Sequence, residues 1–164
     1  MNTKRIKPGP GQESVWDYPR PPKLETFSGH IRIQFNGEVI LDTNEAYRVL
    51  ETSHPPTYYI PIDHFQTGVL IPIQKSSFCE FKGMASYFDI QVGNKRARAS
   101  AWGYLKARGN FAVISNHVSV YAHLMDACIV NDEVVQAQAG DFYGGWITSN
   151  IVGPFKGGAG TMGW

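Results

Sequence analysis

The chain predicts a mainly β fold: a compact antiparallel β-sheet domain with one short helix and one further helical turn. Three observations carry this. Over residues 30–35, Ile31, Ile33 and Phe35 alternate with Arg32 and Gln34, as on a strand with one buried face. Turn signals, Asn36-Gly37, Gly93-Asn94 and Asn131-Asp132, separate runs of strand-forming residues. Prolines in the N-terminal arm and glycines in the C-terminal tail exclude a long helix at either end.

Lys4, Arg5 and Lys7 sit among Pro8, Gly9, Pro10 and Gly11, so residues 1–12 read as a disordered, solvated tail. Residues 13–164 form a single domain, with 30–135 as its core and 136–164 as a glycine-rich C-terminal extension. Residues 13–29 carry three prolines and run extended, with Trp16, Tyr18, Leu24 and Phe27 available to lie across the body.

The first hairpin turns at Asn36-Gly37 and returns along 38–42. Facing side chains should match in polarity, which favours a three-residue loop pairing Phe35 with Val39, Ile33 with Leu41 and Arg32 with Asp42. Asp42 or Thr43 then caps a helical turn over 44–50. The HPPTYYIPIDHF segment is too rich in proline for anything but extended chain or a sheet edge.

A second hairpin joins 78–92 to 95–104 through Gly93-Asn94. Its register sets Ile90 opposite Ala97, Phe88 opposite Ala99 and Ser86 opposite Ala101 on the buried side. The other side pairs Gln91 with Arg96, Asp89 with Arg98, Tyr87 with Ser100 and Ala85 with Trp102. Asn110 caps a helix with Phe111, Ile114, Val118 and Tyr121 on one face. A last hairpin, 127–130 with 133–135, turns at Asn131-Asp132.

With 164 residues and 43% hydrophobic composition, one domain with a substantial core is expected. The net charge of +1 argues against a dedicated nucleic-acid binder. No run approaches a membrane span and no apolar stretch follows the basic start, so no membrane partner is expected. Cys79 and Cys128 make no disulfide framework, and a cytoplasmic location with reduced thiols is the expectation.

The densest cluster of reactive side chains is RVLETSHPPTYY, where Arg48, Glu51 and His54 recur at three-residue intervals and Pro55 restricts the backbone of His54. Two readings stand side by side. One is a surface ion pair on a helical turn, contributing about 0.3–0.5 kcal/mol. The other is an anion-holding arginine beside an acid/base pair. Cys79 is a third candidate for catalysis. Strand alternation through FCEFKG puts it on the face opposite Lys82, so the two meet only if Gly83 bulges the strand. Gly83 would also leave room for a ligand beside Lys82.

Trp102 and Tyr104 stand over small residues beside Arg98, either as a stacking platform or as a layer covered by the arm or tail. The binding candidates are therefore Arg48, Tyr59, Lys82, Gly83 and Trp102. No CxxC, HExxH or GxSxG occurs, and KGGAGTMG lacks the spacing of a phosphate loop, so no metal ligands or cofactor are assigned.

Three stretches, FNGEVILDTNEAYRVLETSHPPTYYIP, SFCEFKGMASYFDIQVGNKRARASAWGY and HVSVYAHLMDACIVNDEVV, resemble in order and spacing the domain of unknown function 427 family, also labelled a nucleotidyltransferase family. The arm ESVWDYPRPPKLE and the tail FYGGWITSNIVGPFKGG resemble a longer variety of it. The resemblance implies an antiparallel β domain close to the β-tent folds. Many β-tent members hold zinc through paired CxxC motifs, which this chain lacks. The family's recurring positions fall on Arg48, Glu51, His54, Cys79, Lys82, Gly83 and Trp102. The nucleotidyltransferase label implies two acids one residue apart holding magnesium; the nearest run here, Asp89-Ile90-Gln91, has one.

Three functions follow as expectations. The first is a small-molecule pocket, with Arg48 and Lys82 for an anionic group, Glu51 and His54 for a proton, and Tyr59 and Trp102 as walls. The second is an interaction or scaffold protein whose aromatics and tail form a homo-oligomer or partner surface. The third is magnesium-dependent nucleotidyl transfer.

Overall fold

The structure, a computed structural model, describes residues 4–140 and 142–164. Its first strands are β1 (Glu13–Ser14), β2 (Lys23–Phe27), β3 (Ile31–Phe35), β4 (Glu38–Thr43) and β5 (Ala46–Leu50). Then come β6 (Thr57–Pro61), β7 (Leu70–Cys79), β8 (Gly83–Val92), β9 (Lys95–Gly103) and β10 (His117–Val120). The last are β11 (Ala127–Val130), β12 (Glu133–Val134), β13 (Gln136–Ala137), β14 (Trp146–Ile147) and β15 (Ile151–Val152).

The fold is mainly β. An antiparallel seven-stranded sheet runs β2-β5-β6-β10-β9-β8-β7, and an antiparallel four-stranded sheet runs β12-β11-β3-β4. Two short pairs, β1-β15 and β13-β14, tie the terminal segments down. Among the described residues no helix is long and apolar enough to cross a membrane.

Period-two alternation decides which face each side chain takes. Ile31, Ile33 and Phe35 of β3 share one core with Ile60, Ile90 and Val118 of the large sheet. Trp146 from the tail fills the same core; its ring stacks on Tyr58 and its Nε1 donates to the Val120 carbonyl at 2.9 Å. The opposite face of the large sheet carries Val49, Tyr59, Tyr87, Trp102, Tyr104 and Tyr121 in a second cluster, and that face holds the site.

Several local expectations are corrected. Residues 46–50 are strand β5, paired on both sides, and make no helical turn. Thr57–Pro61 is an interior strand, with Pro55 and Pro56 before it and Pro61 at its last position. Residues 109–114 form a 3₁₀ turn whose Phe111 and Ile114 are buried, and Asn116 at φ +62° redirects the chain into β10. Val118 and Tyr121 therefore lie on opposite faces of the sheet.

At the first hairpin Asn36 and Gly37 both take positive φ, and Phe35 pairs with Glu38. A register shift at Ile40 then restores the Ile33–Leu41 and Arg32–Asp42 pairs that polarity matching demands. In β8–β9, Ile90–Ala97 and Gln91–Arg96 pair as expected. Beyond them the ladder shifts by two residues, so Phe88 meets Ala101 and Tyr87 meets Trp102. The cause is Asp89, 2% exposed, which accepts from the Ala99 N–H and from Arg96 Nε, both at 2.6 Å. A shift of two keeps the re-paired side chains on their faces, so the aromatic layer survives; Ala99, at φ +47° inside the bulge, packs with that layer and not opposite Phe88.

Candidate functional site

Residues 78–83 are not one strand. β7 ends at Cys79, and Glu80-Phe81-Lys82 turn the chain so that Cys79 pairs with Gly83 at φ +110°. Arg108 clamps this turn: its N–H donates to the Lys82 carbonyl at 3.0 Å, and its side chain packs where a Cβ on residue 83 would point. The turn brings Lys82 Nζ to 3.9 Å from Cys79 Sγ, a contact that continuous strand alternation forbids. Gly83 thus serves the turn, and the space beside it is filled by Arg108 rather than left for a ligand.

Cys79 and Lys82 line a cavity of about 410 Å³ that also takes in Glu51, His54, Tyr59 and Trp102. Six of the eight candidate residues therefore converge. The alternation of β5 and β6 explains the grouping: Val49, Glu51, Thr57 and Tyr59 point to this face, while Arg48 and Tyr58 point to the other.

Arg48 lies outside the cavity. Its side chain is 11% exposed and is held between Glu25, which accepts from Nε at 2.9 Å, and Glu13, whose Oε1 lies 3.3 Å from Nη1. Burial works against this cation, but the two carboxylates outweigh it and hold the guanidinium firmly charged. It is a structural ion pair that joins the arm to β5, and no helical turn aligns it with Glu51 and His54.

His54 follows Ser53 at φ +71° and precedes Pro55. Its Nδ1 lies 3.0 Å from the Thr52 carbonyl, which can only accept, so Nδ1 carries the proton and Nε2 keeps its lone pair. Burial pushes the imidazolium below its usual pKa, and the Thr52 carbonyl and the Glu51 carboxylate offset this only in part. The ring is held edge-on by Tyr143. A neutral imidazole with a lone pair on Nε2 is suited to act as a base.

Glu51 meets Arg20 Nε at 3.5 Å, and Arg20 also donates to the Thr52 carbonyl. Among the ion pairs of the described residues, none uses Lys82. Its ammonium lies instead 5.8 Å from the ring centroids of Tyr104 and Phe111.

The C-terminal segment closes the hollow. Gly144 packs on the Trp102 ring and Gly145 against Pro55, both where a Cβ would collide. The Lys156 N–H donates to Ser53 O at 2.8 Å, and Gln138 Nε2 reaches Lys156 O at 2.7 Å, which sets Lys156 on the cavity wall. Trp164 lines it too, and its Nε1 is buried without a hydrogen-bond partner among the described residues. Trp102 is thus both covered by the tail and part of the wall; Tyr121 lies against it at 4.5 Å between ring centroids. Burial raises the phenol pKa of Tyr59, Tyr104 and Tyr121, the last to about 12, so all three stay protonated at neutral pH.

Sequence reasoning missed Arg20, Tyr121, Lys156 and Trp164. Only Lys156 carried a signal, as the lysine of KGGAG. Among the described residues no three His, Cys, Asp or Glu side chains are grouped to share a metal ion. The acid nearest the nucleotidyltransferase pattern, Asp89, has both oxygens engaged by Ala99 and Arg96. Burial would raise its pKa, but these partners hold it below the usual carboxylate range.

No curated protein matches the chain. A family model, named NTP_transf_9, matches residues 23–131, which takes in Glu51 through Tyr121 and leaves Arg20, Gln138, Lys156 and Trp164 beyond its ends. That match covers more than half of the sequence, and the chain belongs to the family described as Domain of unknown function (DUF427).

Proposed function

We propose that the cavity binds a small anion bearing a flat apolar part. Lys82 and Lys156 hold the charge, Tyr59 and Trp102 wall the ring, and His54 beside Glu51 handles a proton. The observation that carries this reading is that Lys82, Lys156 and a neutral histidine line one hollow over an aromatic floor, with the Lys156 ammonium held by the Met162 and Trp164 carbonyls at 3.4 and 3.1 Å. Its volume, about 410 Å³, suits a compact ligand. Trp164 Nε1 supports it further, since a buried donor without a partner among the described residues is stabilised by an acceptor on an incoming molecule.

An ammonium about 4 Å from an anion contributes roughly 4 kcal/mol before desolvation at an effective dielectric of 20. Desolvation removes much of that, which leaves affinities in the micromolar to millimolar range. The scaffold reading draws no support from Trp146, which is buried in the core of its own chain. Nucleotidyl transfer draws none from Asp89.

Native mass spectrometry of the purified protein tests the reading first, by the mass of a retained small anion. A thermal-shift comparison follows, with phenyl phosphate and 4-hydroxybenzoate against neutral benzamide. The anions should raise Tm at millimolar concentration and benzamide should not. No retained mass and equal, null shifts for all three would overturn it.

A further inference from the structure

We propose that Cys79 is the nucleophile of this cavity and takes small anionic electrophiles into a covalent sulfur adduct. This rests on the reading of the cavity as an anion site and deepens it from binding to chemistry.

The two cysteines differ sharply. Cys128 lies 1% exposed in the core between the sheets, where burial drives its thiol pKa far up. Cys79 is half-buried at the end of β7 and opens on the cavity. Lys82 Nζ faces its sulfur at 3.9 Å. The clamp from Arg108 to the Lys82 and Glu80 carbonyls holds the intervening turn, so the backbone keeps Cys79 and Lys82 on the cavity together and the lysine side chain reaches the sulfur from there.

The geometry serves attack in two ways. An anion drawn to Lys82 arrives beside the sulfur, which raises the local concentration of the electrophile. Negative charge that builds on sulfur before the bond forms meets the same ammonium. In the step itself, the Sγ–C bond forms as the bond from that carbon to its leaving group breaks. The leaving group departs with the electron pair, and the thiol proton passes to water in the cavity. The substrate class is therefore a small anion with a displaceable group on carbon next to its charged end. The apolar wall selects among such molecules.

Iodoacetate and iodoacetamide test this directly, since they share one reaction and differ in charge. Alkylation is followed on the folded full-length protein by intact mass and peptide mapping, with the urea-unfolded chain as the reference thiol. In the folded protein Cys79 should take iodoacetate at least about tenfold more readily, relative to iodoacetamide, than the unfolded chain does, while Cys128 stays unmodified. Lys82→Met should erase that preference, Lys82→Arg should keep it, and Cys79→Ser should abolish labelling. Circular dichroism confirms that each variant folds.

An iodoacetate-to-iodoacetamide ratio equal to that of the unfolded chain overturns the proposal. So does a preference that survives Lys82→Met. If phenyl phosphate still raises Tm in either case, the nucleophile is wrong and the binding site stands. If the preference is present but phenyl phosphate has no effect, the nucleophile stands and the ring-binding part fails.

Discussion

Gly144 lies so close to the ring of Trp102 that a Cβ on residue 144 would overlap the indole. This contact seats the C-terminal segment on the aromatic face of the large sheet and makes the tail one wall of the cavity. Gly144→Ala should push the segment off Trp102. A small-to-large change in such a close contact costs about 1–3 kcal/mol. Urea denaturation should show the lower midpoint, and Trp102 should become more accessible to acrylamide quenching. An unchanged midpoint with unchanged quenching would mean the tail does not pack as described.

Arg48 separates a structural role from a binding role. Arg48→Met leaves Glu13 and Glu25 without their cation, and both are about one-third exposed, so water relieves part of the loss. A loss of about 1–3 kcal/mol in stability is expected, below the 3–5 kcal/mol of a fully buried pair. Binding of phenyl phosphate should be unaffected once the variant is folded. Lost binding with intact stability would return Arg48 to the site.

Asp89 anchors the β8–β9 shift. Asp89→Asn keeps the shape but loses the charge facing Arg96 and the Ala99 N–H. Hydrogen bonds to an ionised group contribute about 1.5–3 kcal/mol, and a loss of that order is expected in denaturant titrations. Wild-type stability would show that the carboxylate does not hold the bulge.

His54 carries a pH signature. Its pKa in the folded chain lies below the value near 6.5 that an unfolded histidine shows, with burial the main cause. Between those values the unfolded chain binds a proton that the folded chain does not, so stability falls as pH is lowered through that window. The contribution is whole above about pH 6.5. Urea midpoints followed from about pH 8 to about pH 5 should show a slope that His54→Gln reduces. An identical slope in the variant would mean that folding leaves the pKa of the histidine unchanged.

Much of the architecture was legible because local rules act over a few residues. Ile31, Ile33 and Phe35 mark a buried face by alternation alone, and Asn36-Gly37 marks its turn. The shift at Asp89 was not legible, because it depends on a side chain bonding to the backbone ten positions away. FCEFKG alternates like a strand and so sets Cys79 and Lys82 on opposite faces; Gly83 is the cue that it turns. Three-residue spacing groups Arg48 with Glu51 and His54 only on a helical turn; the strand keeps Glu51 and His54 at the cavity and turns Arg48 to the other face. Lys156 and Trp164 reach the cavity through the docking of the tail, which is fixed by close approaches at Gly144 and Gly145 rather than by any motif.

In the proposed site Lys82 and Lys156, and not Arg48, hold the anion over the Tyr59–Trp102 wall. Titrating phenyl phosphate against tryptophan fluorescence in the wild type and in Lys82→Met, Lys156→Met and Arg48→Met tests it most directly. Saturable binding is expected that weakens about tenfold or more in each lysine variant, roughly 1.4 kcal/mol apiece, and holds in Arg48→Met. No saturation in the wild type, or affinity lost in Arg48→Met and kept in both lysine variants, would contradict it.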